Sequence, residues 1–153
     1  MKDHKPALVF RMAYTAAGLL VLFAILTTGF RWFATAERAL SLNADQIVKA
    51  EMTVYDDPDI LPWGEYEIDP AAARRVYHQL GKSVTGSPSP WFSSFDIRFK
   101  TDDGTVDEVQ FSSEIKQVRV NGRYFRTSES ARELIQEIFH ELSNQNKQSA
   151  SGT

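Results

Sequence analysis

No cysteine occurs among the 153 residues. That excludes a disulfide framework, a cysteine-ligated zinc or iron–sulfur site, a thiol nucleophile and a lipid-anchored N-terminal cysteine. Glycine and proline are sparse, at eight and six, too few for a low-complexity or collagen-like chain. The three histidines, His4, His78 and His140, lie far apart and show neither a paired nor an HExxH spacing, so the usual histidine metal motifs are missing. There is no Gly-x-Ser-x-Gly elbow, and Gly81–Gly86 is not followed by the Lys-Ser/Thr of a phosphate loop. Asp56, Asp57, Asp59, Glu65, Glu67 and Asp69 are rich in oxygen ligands. Pro58 and Ile60 interrupt the alternation that a calcium loop needs, so they read as a solvated loop. No catalytic residue, cofactor or metal site is assigned, and the chain reads as a non-enzyme.

The content is 42% hydrophobic and 24% charged, as in folded proteins, and the length suits about one domain. Charge divides unevenly. Residues 1–44 hold five basic and two acidic side chains, whereas residues 45–153 hold twelve and eighteen. A basic head on an acidic body implies two environments, and the acidic body argues against a nucleic-acid partner, whose phosphates select a positive surface.

Met12 to Phe30 carries no charge over 19 residues. As a helix it would reach about 28 Å, close to the ~30 Å hydrocarbon core. Lys2, Lys5 and Arg11 precede it, Arg31 and Arg38 follow it, and Tyr14, Trp32 and Phe33 sit at its ends, where aromatic rings favour an interface. The expected layout is a cytoplasmic tail at 1–11, a transmembrane helix at 12–30 and a helical juxtamembrane stalk at 31–45. An extracytoplasmic domain at 46–142 and a disordered tail at 143–153 follow. Ala34-Thr35-Ala36 offers the competing reading of a cleaved signal peptide; an apolar core longer than the usual ~7–15 residues weighs against cleavage.

Within the body, Met52 and Val54 alternate with polar neighbours and predict a strand over about 47–55. Asp69-Pro70 opens a helix over 70–80: Asp69 caps it, Pro70 suits its first position, and Gly81 supplies a left-handed close. Phe95, Ile97 and Phe99 predict a half-buried strand, Asp102-Asp103-Gly104 a turn, and Val106, Val109 and Phe111 its return. The uneven spacing of Val106 and Val109 predicts a bulge near Asp107-Glu108. Asn121-Gly122 predicts a second hairpin, with Val118, Val120 and Phe125 on the buried face. A last helix at about 129–142 carries a Leu134, Ile135, Ile138, Phe139, Leu142 stripe behind a Ser130/Glu133 capping box. The order β-α-β-β-β-β-α predicts an α+β layer, a mostly antiparallel sheet packed by two helices. Phe95, Phe99, Phe111, Phe125 and Phe139 would fill its core.

Phe99-Lys100-Thr101-Asp102-Asp103-Gly104 followed by Val118-Arg119-Val120-Asn121-Gly122-Arg123-Tyr124-Phe125 resembles the strand–turn–strand core of small membrane-anchored extracytoplasmic domains of Bacillus-type bacteria. Most of these have no assigned function. The resemblance spans about residues 46–142, implies the same α+β fold, and brings no catalytic residues. The missing lipid-anchor cysteine would leave anchoring to the helix alone.

Two groups of side chains are candidates for binding. Trp63, Tyr66, Trp91 and Phe92 lie beside proline and glycine, where loop aromatics can stack on a ligand or cover the ends of a small core. Arg119, Arg123 and Arg126, with Lys116, are spread along the second hairpin and would meet an anionic partner if they share one face. The expectation is a single-pass membrane protein at the cell membrane that displays a non-catalytic domain contacting another envelope or membrane protein. The alternative is a secreted or anchored module for a small molecule or cell-wall fragment.

Overall fold

The computed structural model describes residues 17–26, 34–55, 61–87 and 92–151. The chain divides into two compact units, Met1–Ala34 and Thr35–Thr153.

In the first unit, residues 17–26 form helix α1. The expected membrane crossing is not borne out, because no helix among the described residues is long and apolar enough to span a bilayer. Ten described helical residues rise about 15 Å, half of a ~30 Å hydrocarbon core. The rest of the 12–30 run, residues 12–16 and 27–30, lies outside the described residues. The transmembrane and signal-anchor readings fall with the expected crossing. Leu19, Leu20, Val21, Leu22, Phe23, Ile25 and Leu26 are all exposed in α1.

The second unit is α+β. Seven strands, β1 (Ile47–Val54), β2 (Gly64–Ile68), β3 (Val84–Thr85), β4 (Phe95–Thr101), β5 (Val106–Phe111), β6 (Gln117–Val120) and β7 (Arg123–Arg126), form one sheet in the order β2-β1-β4-β5-β6-β7-β3. Every pairing in it is antiparallel. Helices α2 (Pro70–Leu80) and α3 (Glu129–Ser151) complete the unit. Apolar stripes on both helices are buried with one face of the sheet: Ala73, Val76 and Leu80 from α2, Ile135 and Phe139 from α3, and Met52, Phe99, Val109, Phe111 and Val118 from the strands. Each fully buried large apolar side chain contributes about 1.5–3 kcal/mol. Phe95 stacks on Phe111, with ring centroids 4.7 Å apart, and meets Phe139 edge-on at 4.9 Å.

Local chemistry explains most boundaries. Asp69 accepts the Ala72 N–H at 2.9 Å, and Pro70 fills the first turn of α2. Gly81 is right-handed, with φ of −54°, and does not make the left-handed close expected of it. Glycine is needed there for space: a Cβ would lie 3.3 Å from the His78 carbonyl and 3.6 Å from Glu37 Cβ. Asn121 and Gly122 have φ of 49° and 75°, the conformation that a two-residue hairpin turn requires.

Other expectations fail for stated reasons. The β4–β5 register runs unbroken through Phe99↔Asp107 and Arg98↔Glu108, so there is no bulge there; the irregularity lies in β1 between Ile47 and Lys49. Asp107 takes the inward position of the alternation and Val106 faces out. β2 and β3 were unforeseen, since Glu65 and Glu67 were read as part of an acidic loop and β3 is two residues long. Ser128, not Ser130, caps α3: its Oγ accepts the Ala131 N–H at 3.3 Å. Residues 143–151, expected to be disordered, continue α3.

The expected helical stalk is a strap laid on the body. Two short 3-10 turns, Ala36–Arg38 and Ala44–Gln46, interrupt it. Thr35 bridges to Val84, Ala36 N–H reaches the Ser83 carbonyl at 2.8 Å, and Asn121 Nδ2 donates to the Ala39 carbonyl at 2.7 Å.

Candidate functional site

The sheet register gathers exposed aromatics at one end. Val54 lies between Gly64 on β2 and Phe95 on β4. The residues just beyond these three positions therefore meet at the same rim: Trp63 before β2, Tyr55 after β1 and Phe92 before β4. Tyr55 N–H donates to the Ser94 carbonyl at 2.9 Å, which holds two of these segments together. Trp63 is 81% exposed, Phe92 95% and Tyr55 44%. Neighbouring strands stand about 4.8 Å apart, so the three anchor points span about 10 Å.

Of the aromatics singled out in the sequence, Trp63 and Phe92 thus lie at the same end of the sheet. Tyr66 lies two residues inside β2, where its hydroxyl donates to the Pro62 carbonyl at 2.7 Å and accepts from Asn146 Nδ2 of α3 at 3.4 Å. Trp91 lies outside the described residues. Tyr55 was missed because its position after a strand looked like a strand end; only the pairing of β1 with β4 places it beside Phe92.

Behind the rim, on the sheet face turned away from α2 and α3, Asp96 lies opposite Thr53 and Gln110. Its side chain is 1% exposed and sits 3.6 Å from Arg98 Nε. Burial pushes its carboxyl above the usual aspartate range, against the pull of the Tyr55 hydroxyl and Arg98; the Glu108 charge adds to the rise. Tyr55 is pushed up to about 12, first by the neighbouring Asp96 carboxyl and then by burial, although neither buried Asp96 oxygen makes a hydrogen bond within normal geometry. The charge partners of Asp96, Arg98 with Glu108 at 3.4 Å, form a structural cluster under the rim.

The arginine group is divided. On β6 and β7, Arg119 pairs with Tyr124 and Gln117 with Arg126 on the outer face, whereas Arg123 lies opposite Val120 on the helix side. Arg119 Nε donates to Gln110 Oε1 at 2.7 Å and its guanidinium lies 6.0 Å from the Tyr124 ring centroid. Lys116 pairs with Glu114. The three arginines do not form one basic surface.

Cavities lie elsewhere. The groove between α2 and α3 has a volume of about 510 Å³ and is walled by Arg74, Arg75 and His78 on one side and Glu133 and Glu137 on the other. Among the described residues, no group of three or more His, Asp or Glu could hold a metal ion.

No family model matches the chain, no curated protein is similar to it, and no solved structure matches its fold.

Proposed function

We propose that the Thr35–Thr153 unit is a non-catalytic domain that works by binding another protein through the rim of Trp63, Tyr55 and Phe92. One observation carries this reading: three aromatic side chains from three separate segments stand exposed at one end of a rigid sheet. Exposed apolar patches on a folded body mark sites of contact, and aromatic side chains supply most of the energy at such contacts. A small-molecule module would place its aromatics inside a concave apolar pocket. Trp63 and Phe92 instead project into solvent, and the α2–α3 groove is walled by charges.

A photo-crosslinking amino acid at position 63 or 92 tests the reading in intact cells. The expected result is one discrete adduct with a protein, lost when the other aromatic is changed to alanine. Diffuse labelling, or an adduct that survives the Trp63→Ala/Phe92→Ala variant labelled from position 55, would overturn it.

A further inference from the structure

The two edges of the sheet are unequal. At one edge β3 is two residues long, and Thr35 of the strap already bridges to Val84. At the other edge β2 runs five residues, Gly64–Ile68, and pairs on one side only, with β1. Among the described residues no strand takes its outer side. An edge strand of this length presents unpaired backbone N–H and C=O groups, and proteins usually blunt it with charged side chains, proline or a bulge; on β2 the charges are Glu65 and Glu67, which turn away acidic or like strands but not a basic one. β2 has no proline or lysine, and its register with β1 is continuous from Ala50↔Ile68 to Val54↔Gly64.

Glu65 and Glu67 decide what fits there. Both face away from the helices, opposite Thr53 and Glu51. Glu51 is held by Lys49 and Lys100, each at 2.7 Å; the Lys49 charge also acts on Glu67, but among the described residues no salt bridge reaches Glu65 or Glu67. Glu51 directly opposite Glu67 is an unfavourable like-charge pair. A second copy of this chain would worsen the balance: in an antiparallel self-pair centred on Tyr66, Glu65 would face the other copy's Glu67. A strand bearing basic side chains at alternate positions would relieve the Glu51–Glu67 repulsion, give Glu65 a partner and satisfy the open backbone.

Resting on the binding reading above, we propose that the outer edge of β2 receives an extended segment of the partner protein as an eighth strand, with alternating lysine or arginine side chains set against Glu65 and Glu67. Main-chain hydrogen bonds supply the affinity in this mode, and the side chains on one face set specificity. Trp63, one residue ahead of the edge, then caps the incoming strand at the rim.

The probe is a short synthetic peptide in which lysine alternates with threonine, added to the full chain. Amide hydrogen exchange is followed at Gly64–Ile68 together with the dissociation constant. The expected result is slowed exchange confined to β2 and its rim. Binding should be lost when alternate peptide nitrogens are methylated, and should weaken about tenfold in the Glu65→Lys/Glu67→Lys variant, which gains affinity for the alternating glutamate peptide. Equal binding of the methylated peptide, unchanged β2 exchange, or indifference to the double charge reversal would each overturn the added strand. The two readings separate in cells. If the crosslink from position 92 survives Glu65→Lys/Glu67→Lys but not Trp63→Ala, the rim stands and the added strand falls.

Discussion

The carboxylate of Asp107 on β5 takes the hydroxyl of Tyr77 on α2, and both then hold the strap. Asp107 accepts the Ser41 N–H at 2.7 Å, the Ser41 hydroxyl and the Leu42 N–H at 3.2 Å, while Leu42 N–H also reaches the Tyr77 oxygen at 2.8 Å. One buried acid therefore ties sheet, helix and N-terminal strap together. Charged acceptors make hydrogen bonds worth about 1.5–3 kcal/mol, and a buried donor left unpaired costs about 1–3. Asp107→Asn, which keeps the shape but loses the charge, should cost about 2–3 kcal/mol by urea unfolding. Tyr77→Phe should cost about 1–2. A double variant whose loss equals the sum of the two would show that they do not act as one unit.

The two buried aspartates should respond to pH in opposite directions. At Asp107 burial raises the carboxyl, but hydrogen bonds from Ser41, Tyr77 and Leu42 outweigh it and hold it below the usual range. Its stabilisation is complete above the unfolded value of ~3.9 and is lost as pH falls through the lower folded value. At Asp96 burial raises the carboxyl, so the folded state prefers it protonated. Its contribution is most favourable below ~3.9 and is lost as pH rises through the higher folded value. Asp96→Asn should then be neutral or stabilising at pH 7 and should remove the part of the stability curve that falls as pH rises from the unfolded value through the higher folded one. Asp107→Asn should remove the part that falls with acid. Unfolding free energies measured from pH 2 to 8 separate the two. A parallel change in both variants would contradict the assignment.

These two acids also show where the sequence was legible. Elements with alternating or helical apolar patterns, β1, β4 and the β6–β7 hairpin, were readable because local chemistry and burial agree in them, and so was α2 with its Asp69-Pro70 start. Asp107 was not. An acid in an inward strand position looks like a break in the pattern, and only the strap, 66 residues away in sequence from Ser41 to Asp107, explains it. β2 was a different failure: Glu65 and Glu67 alternate with Tyr66 and Ile68 as in any half-buried strand, but these acids were read together with Asp56, Asp57 and Asp59 as one solvated loop. In the 12–30 run apolar composition alone was taken to fix a length of helix, of which residues 17–26 are described. In the candidate site, Trp63 and Phe92 were visible as loop aromatics. Their meeting with Tyr55 depends on strand pairing, which composition does not encode.

The Asn121-Gly122 turn has two separable roles. Its backbone needs positive φ at both positions, and the Asn121 side chain holds the strap through the Ala39 carbonyl at 2.7 Å. Asn121→Gly keeps the turn and deletes the strap bond, so about 0.5–1.5 kcal/mol should be lost and exchange should quicken at the Ala36–Leu40 amides alone. Gly122→Ala places a side chain in the left-handed region, costs about 1–2 kcal/mol, and should quicken exchange in β6 and β7. If Asn121→Gly loosens the hairpin instead of the strap, the turn and not the strap is its main role.

The C-terminal half of α3 should matter far less to stability than its first turns. Among the described residues Leu142 is the last buried apolar side chain of the helix, and residues 144–148 are exposed. Ending the chain after residue 142 removes surface side chains and the long Asn146–Tyr66 contact, so the loss should stay within about 0.5–1 kcal/mol. Phe139→Ala should cost about 3–5 kcal/mol, because it removes the ring that meets Phe95 edge-on at 4.9 Å across an 83° angle. Urea unfolding of both variants measures the contrast. A truncation as damaging as Phe139→Ala would show that this end of α3 carries packing energy that the exposure of residues 144–148 denies.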